Sequence, residues 1–497
     1  MSDNFSVLRT KPVEDVLAQS AEPAEGEPHG IHRLSRRLGA KDLMGFGIGI
    51  VIGTGIFTLT GVEAKQHAGP AVTVAFGIAG LVSLLAALCY AEMASAVPTA
   101  GSAYTYAYAT IGEIFAWIIG WDLFLEFALG AAVVARGWSG YLANLFDLPP
   151  SLFGEHSTVN VGAVAIVLVL GVVAVVGIRE SARVTNTLVV VKVAVCIFVV
   201  VAGLFFLNGA NLTPFVPASA PVKAGTSGLA QPLSQAVFGL APTSFGIAGV
   251  LTASAVVFFA YTGFEAVANL GEETRNPSRD LPRGLLGTLA LCTALYMGVS
   301  FVITGMVDYR QIDEGAPIAS AFDAVGAGWA AALVSIAAVA GLTSVILVDI
   351  VAMGRIGFSM GRDRLLPPAI AKVHPRWGTP YRITALTVLL VAVLAGLVPL
   401  GTLANLVSIG TLFAFIVVSI AVPILRRTKP DMTRPFRVPF SPVIPVLSAL
   451  ACLYLMTNLS IETWLRFAVW MVLGVALYLV YGKRNARLAQ PERAASR

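Results

Sequence analysis

At 497 residues the chain is long enough for about three soluble domains of roughly 150 residues, yet only 12% of it is charged and 57% is hydrophobic, against about 25% charged in ordinary soluble domains. That composition leaves too little polar surface to cover a globule, and with a mean hydropathy of +0.80 it excludes a soluble cytoplasmic enzyme. The net charge of +5 does not point to nucleic acid, because the basic residues are scattered through short connections between apolar runs, which is a membrane topology signal.

Residues 1–35 are acidic, contain Pro and Ala and lack an apolar core, so they read as a disordered tail and not as a signal peptide. Twelve apolar runs follow, over about residues 43–66, 70–96, 114–142, 159–178, 184–207, 245–270, 284–307, 328–354, 383–399, 402–425, 438–460 and 464–481. Each is long enough to cross a bilayer core of about 30 Å as a helix. Lipid tolerates only helices or closed barrels, and barrel strands would alternate over about ten residues. The expected fold is an all-α polytopic bundle of twelve transmembrane helices.

A Pro- and Gly-rich connection at 208–244 separates five runs in residues 40–207 from five in residues 245–425. The last two runs occupy 438–481, and 482–497 is a second tail. The tails and every second loop hold 27 of the 33 basic residues, including Arg33, Arg36, Arg37, Lys41, Arg426, Arg427, Lys429, Arg434 and Arg437. The opposite loops hold only Lys65, Lys223, Arg310 and Arg466, so both termini are expected in the cytoplasm. Cys89, Cys196, Cys292 and Cys452 all lie in apolar runs without a CxxC pair and read as small apolar fillers.

The first run contains Gly45-Phe46-Gly47-Ile48-Gly49-Ile50-Val51-Ile52-Gly53-Thr54-Gly55-Ile56-Phe57. Its Gly53-Thr54-Gly55 triplet falls near mid-bilayer, where two glycines, each costing a helix about 1 kcal/mol relative to alanine, make unwinding or close helix packing the two readings. The sixth run carries Phe258-Phe259-Ala260-Tyr261-Thr262-Gly263-Phe264-Glu265, again a small polar and glycine pair deep in an apolar stretch. Corresponding interruptions in two halves point to a transporter with inverted repeats and a central substrate site. Amides at a half-helix N-terminus suit a carboxylate and carbonyls at a C-terminal end suit an ammonium. An α-amino acid carries both.

These segments, with Gly120-Trp121-Asp122-Leu123-Phe124-Leu125-Glu126, Glu272-Glu273-Thr274-Arg275-Asn276-Pro277 and Arg434-Pro435-Phe436-Arg437-Val438-Pro439, resemble the amino acid-polyamine-organocation superfamily, and within it the cationic amino acid transporter branch in bacterial form. The resemblance covers about residues 35–482. It implies the leucine-transporter fold, five spans plus five inverted plus two, with proton-coupled or exchange transport and no sodium coupling. It places Ile52, Gly53, Thr54, Gly55, Phe259, Ala260, Tyr261, Thr262 and Gly263 around the substrate.

Six ionisable residues fall inside the runs: Asp122, Glu126, Arg136, Lys192, Glu265 and Asp349. A charge at the bilayer centre costs at least about 2.5 to 3.5 kcal/mol on insertion scales, so each is a functional hypothesis. Lys192 has no acid within four positions; desolvation disfavours an ammonium, which suits a proton carrier, and a salt bridge to Asp349 or Glu126 is the alternative. By resemblance it matches the fifth-span lysine that replaces a sodium ion, with Thr343 and Ser344 lining the vacated position. Asp122 and Glu126 share a helix face, and Glu126 resembles the family's third-span glutamate near the substrate side chain. Glu265 follows the sixth-run break and suits unwound amides. Arg136 departs from the family's usual small residue and is expected to reach the outer interface.

Asp349 stands where relatives carry Met or a small residue. It is the expected selector of a cationic side chain unless Lys192 or Arg136 neutralises it. The sequence contains no HExxH or GxSxG motif, and no catalytic residue, metal ligand or cofactor site is expected. The reading is a plasma-membrane secondary active transporter working by alternating access on arginine, lysine or ornithine, with protons and the lipid bilayer as its other partners. A neutral amino acid permease or exchanger of the same fold, and an amino acid sensor that binds without transport, are the alternatives. Oligomeric state is not encoded in any of these features.

Overall fold

The computed structural model describes residue 9 and residues 38–96, 102–155, 157–177, 182–221 and 228–486. Arg33, Arg36, Arg37, Lys223 and nearly all of both tails lie outside the described residues. Twelve helices carry the described architecture: α1 (Ala40–Val51), α2 (Val72–Ala96), α3 (Glu113–Phe146), α4 (Val161–Val176), α5 (Ala182–Gly203), α6 (Gly246–Val257), α7 (Pro277–Met306), α8 (Gly328–Arg362), α9 (Tyr381–Leu397), α10 (Leu400–Thr428), α11 (Val443–Thr457) and α12 (Ile461–Leu477).

Eight helical stretches among the described residues are long and apolar enough to cross a membrane, and α4, α9 and α11 are shorter apolar helices. These three have 16, 17 and 15 residues, which at 1.5 Å each gives about 23 to 26 Å. The runs expected at 43–66 and 70–96 are joined in one helical stretch, Gly55–Ala96. It turns at Gly69, whose φ of +57° a side chain would resist, and Pro70 follows. Local chemistry sets other ends in the same way: Asn160 Oδ1 accepts the Ala163 amide at 2.9 Å to cap α4, and Gly177 in the left-handed conformation closes it.

The core is built on α3, which packs along α8 and α10, while α2 packs along α7. Glycines allow these helices to take polar side chains against their backbones. A Cβ on Gly137 would meet Thr54, one on Gly341 would sit 2.8 Å from Lys192 Cε, one on Gly410 2.8 Å from Asp122 Oδ1, and one on Gly130 3.4 Å from Asp349 Oδ2. All four cysteines are free and buried.

The connection at 208–244 has structure of its own. Ala220–Pro221 pairs antiparallel with Thr243–Ser244, and Leu233–Val237 forms a short helix. The amides of Leu233 and Ile461 bond the carbonyls of Leu459 and Gln231, each at 3.0 Å, docking this connection on the α11–α12 turn.

Candidate functional site

Helix α1 ends where Ile52 turns extended (φ −73°, ψ 94°), and helical turns resume at Thr54 and continue as a π-helical Gly55–Leu59. The break therefore lies at Ile52–Gly53, one residue earlier than the triplet alone suggests. Three terminal carbonyls of α1 have partners. Ile48 O accepts the Ile52 amide at 2.9 Å, Gly49 O accepts Lys192 Nζ at 2.7 Å, and Val51 O accepts the Tyr296 hydroxyl at 2.6 Å. Side chains from α5 and α7 thus satisfy backbone groups that an uninterrupted helix would bond internally.

Helix α6 passes into a 3₁₀ turn at Phe258–Tyr261, Thr262 is extended, and Gly263 adopts φ +96° before Phe264–Glu273 coils again. The Thr262 hydroxyl donates to Phe259 O at 2.9 Å. Both Glu265 oxygens accept the Gly263 amide, at 3.1 and 3.0 Å, so this buried carboxylate holds the loosened backbone. The two breaks touch: a Cβ on Gly55 would collide with Cα and Cβ of Ala260.

Between the breaks is a cavity lined by Gly53, Thr54, Gly55, Phe259, Ala260, Thr262 and Gly263, closed on its other sides by Glu126 and Gly130 of α3 and Val345 and Asp349 of α8. Glu126 and Asp349 are 5% and 8% exposed. Glu126 is within electrostatic reach of Glu265, Asp122 and Asp349, and Asp349 within reach of Lys192. The cavity therefore pairs backbone termini with an excess of carboxyl groups, a combination suited to a small zwitterion bearing an additional cation.

Several expected site residues lie elsewhere. Ile52 is fully buried at the break itself, and Tyr261 points to α2, donating to Phe76 O at 2.7 Å. Thr343 donates to Val339 O at 2.8 Å and accepts Trp138 Nε1 at 3.0 Å, while Ser344 donates to Gly341 O at 2.8 Å. Lys192 stands outside the cavity wall, between α1 and Gly341 of α8. Arg136 does not reach an aqueous interface: it is 3% exposed, with Nε on Ala395 O at 2.9 Å and Nη2 on Gly396 O at 3.2 Å. Its Nη1 meets Glu155 at 3.1 Å. Phe127, Gly130, Val134 and Val345 were not among the expected lining residues, although Gly130 is four beyond Glu126 and Val345 four before Asp349, the spacing that shares a helix face.

Among the described residues no three His, Cys, Asp or Glu side chains gather as a metal site. A bundle of membrane-crossing helices with a closed cavity between two interrupted ones is the construction of a carrier, which moves its ligand by changing which side the cavity faces. The chain belongs to the amino acid permease family, whose pattern matches residues 38–485; it is a multi-pass membrane protein of a transporter family, not an enzyme. It is 40% identical to the methylthioribose transporter of Bacillus subtilis (strain 168), over 97% of this chain and 99% of that protein. Similarity to the branched-chain amino acid permease BcaP of the same organism is 39% identity over 98% and 99%. The vacuolar cationic amino acid transporter 2 of Arabidopsis thaliana is 39% identical over 84% of this chain and 64% of its own length.

Proposed function

We propose that this permease is a proton-coupled secondary transporter that prefers cationic amino acids and works by alternating access. In this reading it has twelve spans arranged as five, five inverted and two, with both termini in the cytoplasm and the plasma membrane as its location. The observation that carries the proposal is the cavity bounded by both helix breaks and by Glu126 and Asp349. The amides at the head of the Gly55 helical run suit the α-carboxylate, and the carbonyl ends of α1 and of the Phe258–Tyr261 turn suit the α-ammonium. Glu126 and Asp349 are then left for the side-chain cation. An ion pair at an effective dielectric of 20 is worth about 4 kcal/mol before desolvation is subtracted. Lys192, bonded to Gly49 O, is the proposed proton carrier, since loss of its proton removes a donor and a charge from the end of α1.

A second reading, transport of neutral amino acids, is favoured by the proximity of Lys192 to Asp349 and by the similarity to a protein named as a branched-chain permease. Proteoliposomes with an imposed inward proton gradient decide between them. Labelled arginine, lysine and ornithine should accumulate in preference to leucine, and putrescine, lacking a carboxylate, should compete poorly. Accumulation of leucine but not arginine would establish the second reading. Binding without counterflow would make the chain a sensor.

A further inference from the structure

Asp122 lies on α3 one turn before Glu126, about 6 Å along the helix axis, and it does not line the cavity. It is completely buried, and neither of its oxygens has a hydrogen-bond donor. The element pressed against it is α10, which offers backbone at Gly410, close enough that a Cβ there would sit 2.8 Å from Asp122 Oδ1. The titratable groups around it are Glu126 on its own helix and Tyr90 on α2. Tyr90 packs edge-on against Phe415 of α10 and Phe264, and its hydroxyl is also buried without a partner. Among the described residues no Lys, Arg or His forms an ion pair with Asp122.

An ionised carboxylate in such a setting is prohibitively costly, and the ordinary resolution is to take up a proton. A merely structural aspartate would satisfy at least one oxygen, as Glu265 does with Gly263 and Glu92 does with Arg426 at 2.9 Å. Asp122 does neither, although α10 leaves it a glycine-sized niche.

We propose that Asp122 is a second proton-binding site of the transport cycle, separate from Lys192. In the conformation described here one Asp122 oxygen holds a proton. When α3 and α10 part during the cycle, the O–H bond breaks, the proton passes to water and the carboxylate remains, solvated, until a proton returns. The inference rests on the proposal that uptake is proton-coupled, and adds one proton to the transported set.

The test uses the full-length protein in proteoliposomes carrying an internal pH dye, with labelled arginine outside. Asp122→Asn keeps the shape of the neutral acid but cannot release a proton. Arginine counterflow should stay within about twofold of wild type, while the number of protons entering per arginine falls by about one and gradient-driven accumulation falls at least about tenfold. An unchanged proton-to-arginine ratio overturns the assignment. If wild type is proton-driven and only Lys192→Ala uncouples it, Asp122 is excluded and the proposed function stands; if wild type carries no protons, both fall. Should Asp122→Asn fail to insert, an apolar carbodiimide, which reacts with protonated carboxyl groups within the bilayer, replaces it as the probe. Labelling of Asp122 in wild type that declines with rising pH supports the site, and absence of an adduct at every pH overturns it.

Discussion

Arg136 and Glu155 meet at 3.1 Å and between them hold both sides of the α9–α10 turn. Arg136 gathers the carbonyls of Ala395 and Gly396 at the end of α9, and Glu155 Oε1 accepts the Leu400 amide at the start of α10 at 2.6 Å. Terminal carbonyls and amides of consecutive helices would otherwise be left unpaired in a buried turn. The pair supplies a fork of donors to one helix end and an acceptor to the next, so α3, the loop after it, α9 and α10 are joined at one point.

Removing one partner leaves a buried charge and several orphaned carbonyls. Arg136→Met should destabilise the protein by about 3 to 5 kcal/mol, read as a lowered thermal midpoint in detergent. Arg136→Lys should recover little, since an ammonium cannot span the same fork. A midpoint equal to wild type for Arg136→Met would show that the turn is held by other contacts.

Gly55→Val should insert and fold its outer helices but lose transport and substrate binding together, because the new side chain would occupy the space of Ala260. Binding of labelled arginine to purified protein is the measurement, and wild-type binding by the variant would detach the cavity from the two breaks.

Lys192→Ala should abolish the response of arginine uptake to an imposed pH gradient while counterflow persists. The lost contact is the donor to Gly49 O. A variant that still concentrates arginine under a proton gradient would remove Lys192 from the coupling mechanism.

Asp349→Met should shift the ratio of arginine to leucine uptake toward leucine by about tenfold or more, the equivalent of about 1.4 kcal/mol in relative transition-state binding. An unchanged ratio would leave Glu126, on the opposite wall, as the residue that meets the side-chain cation.

The interruptions were legible because glycine is expensive in a helix at bilayer depth, so Gly53-Thr54-Gly55 and Thr262-Gly263 announce themselves without any tertiary information. The buried carboxyl groups were legible for the same kind of reason: an acid in an apolar run has few harmless explanations. The staple made by Arg136 was not, because its acceptors are backbone carbonyls at Ala395 and Gly396, remote in sequence and carrying no residue-type signature. Tyr261 is instructive in the other direction. It stands in the middle of the interrupted stretch, yet its hydroxyl finds Phe76 O, and the direction of a side chain leaving a 3₁₀ turn cannot be taken from its place in a motif.

The contact between Gly55 and Ala260 restricts how this carrier can be re-engineered. Two main chains in direct apposition leave no volume to spend, so a mutagenesis library aimed at the interrupted segments would return mostly dead clones. The opposite walls have side chains to exchange: Glu126, Gly130, Val345 and Asp349 face the same space from two continuous helices. Substrate range is therefore adjustable on α3 and α8 at little risk to the moving parts, much as the bitting of a key is recut while its shank is left alone.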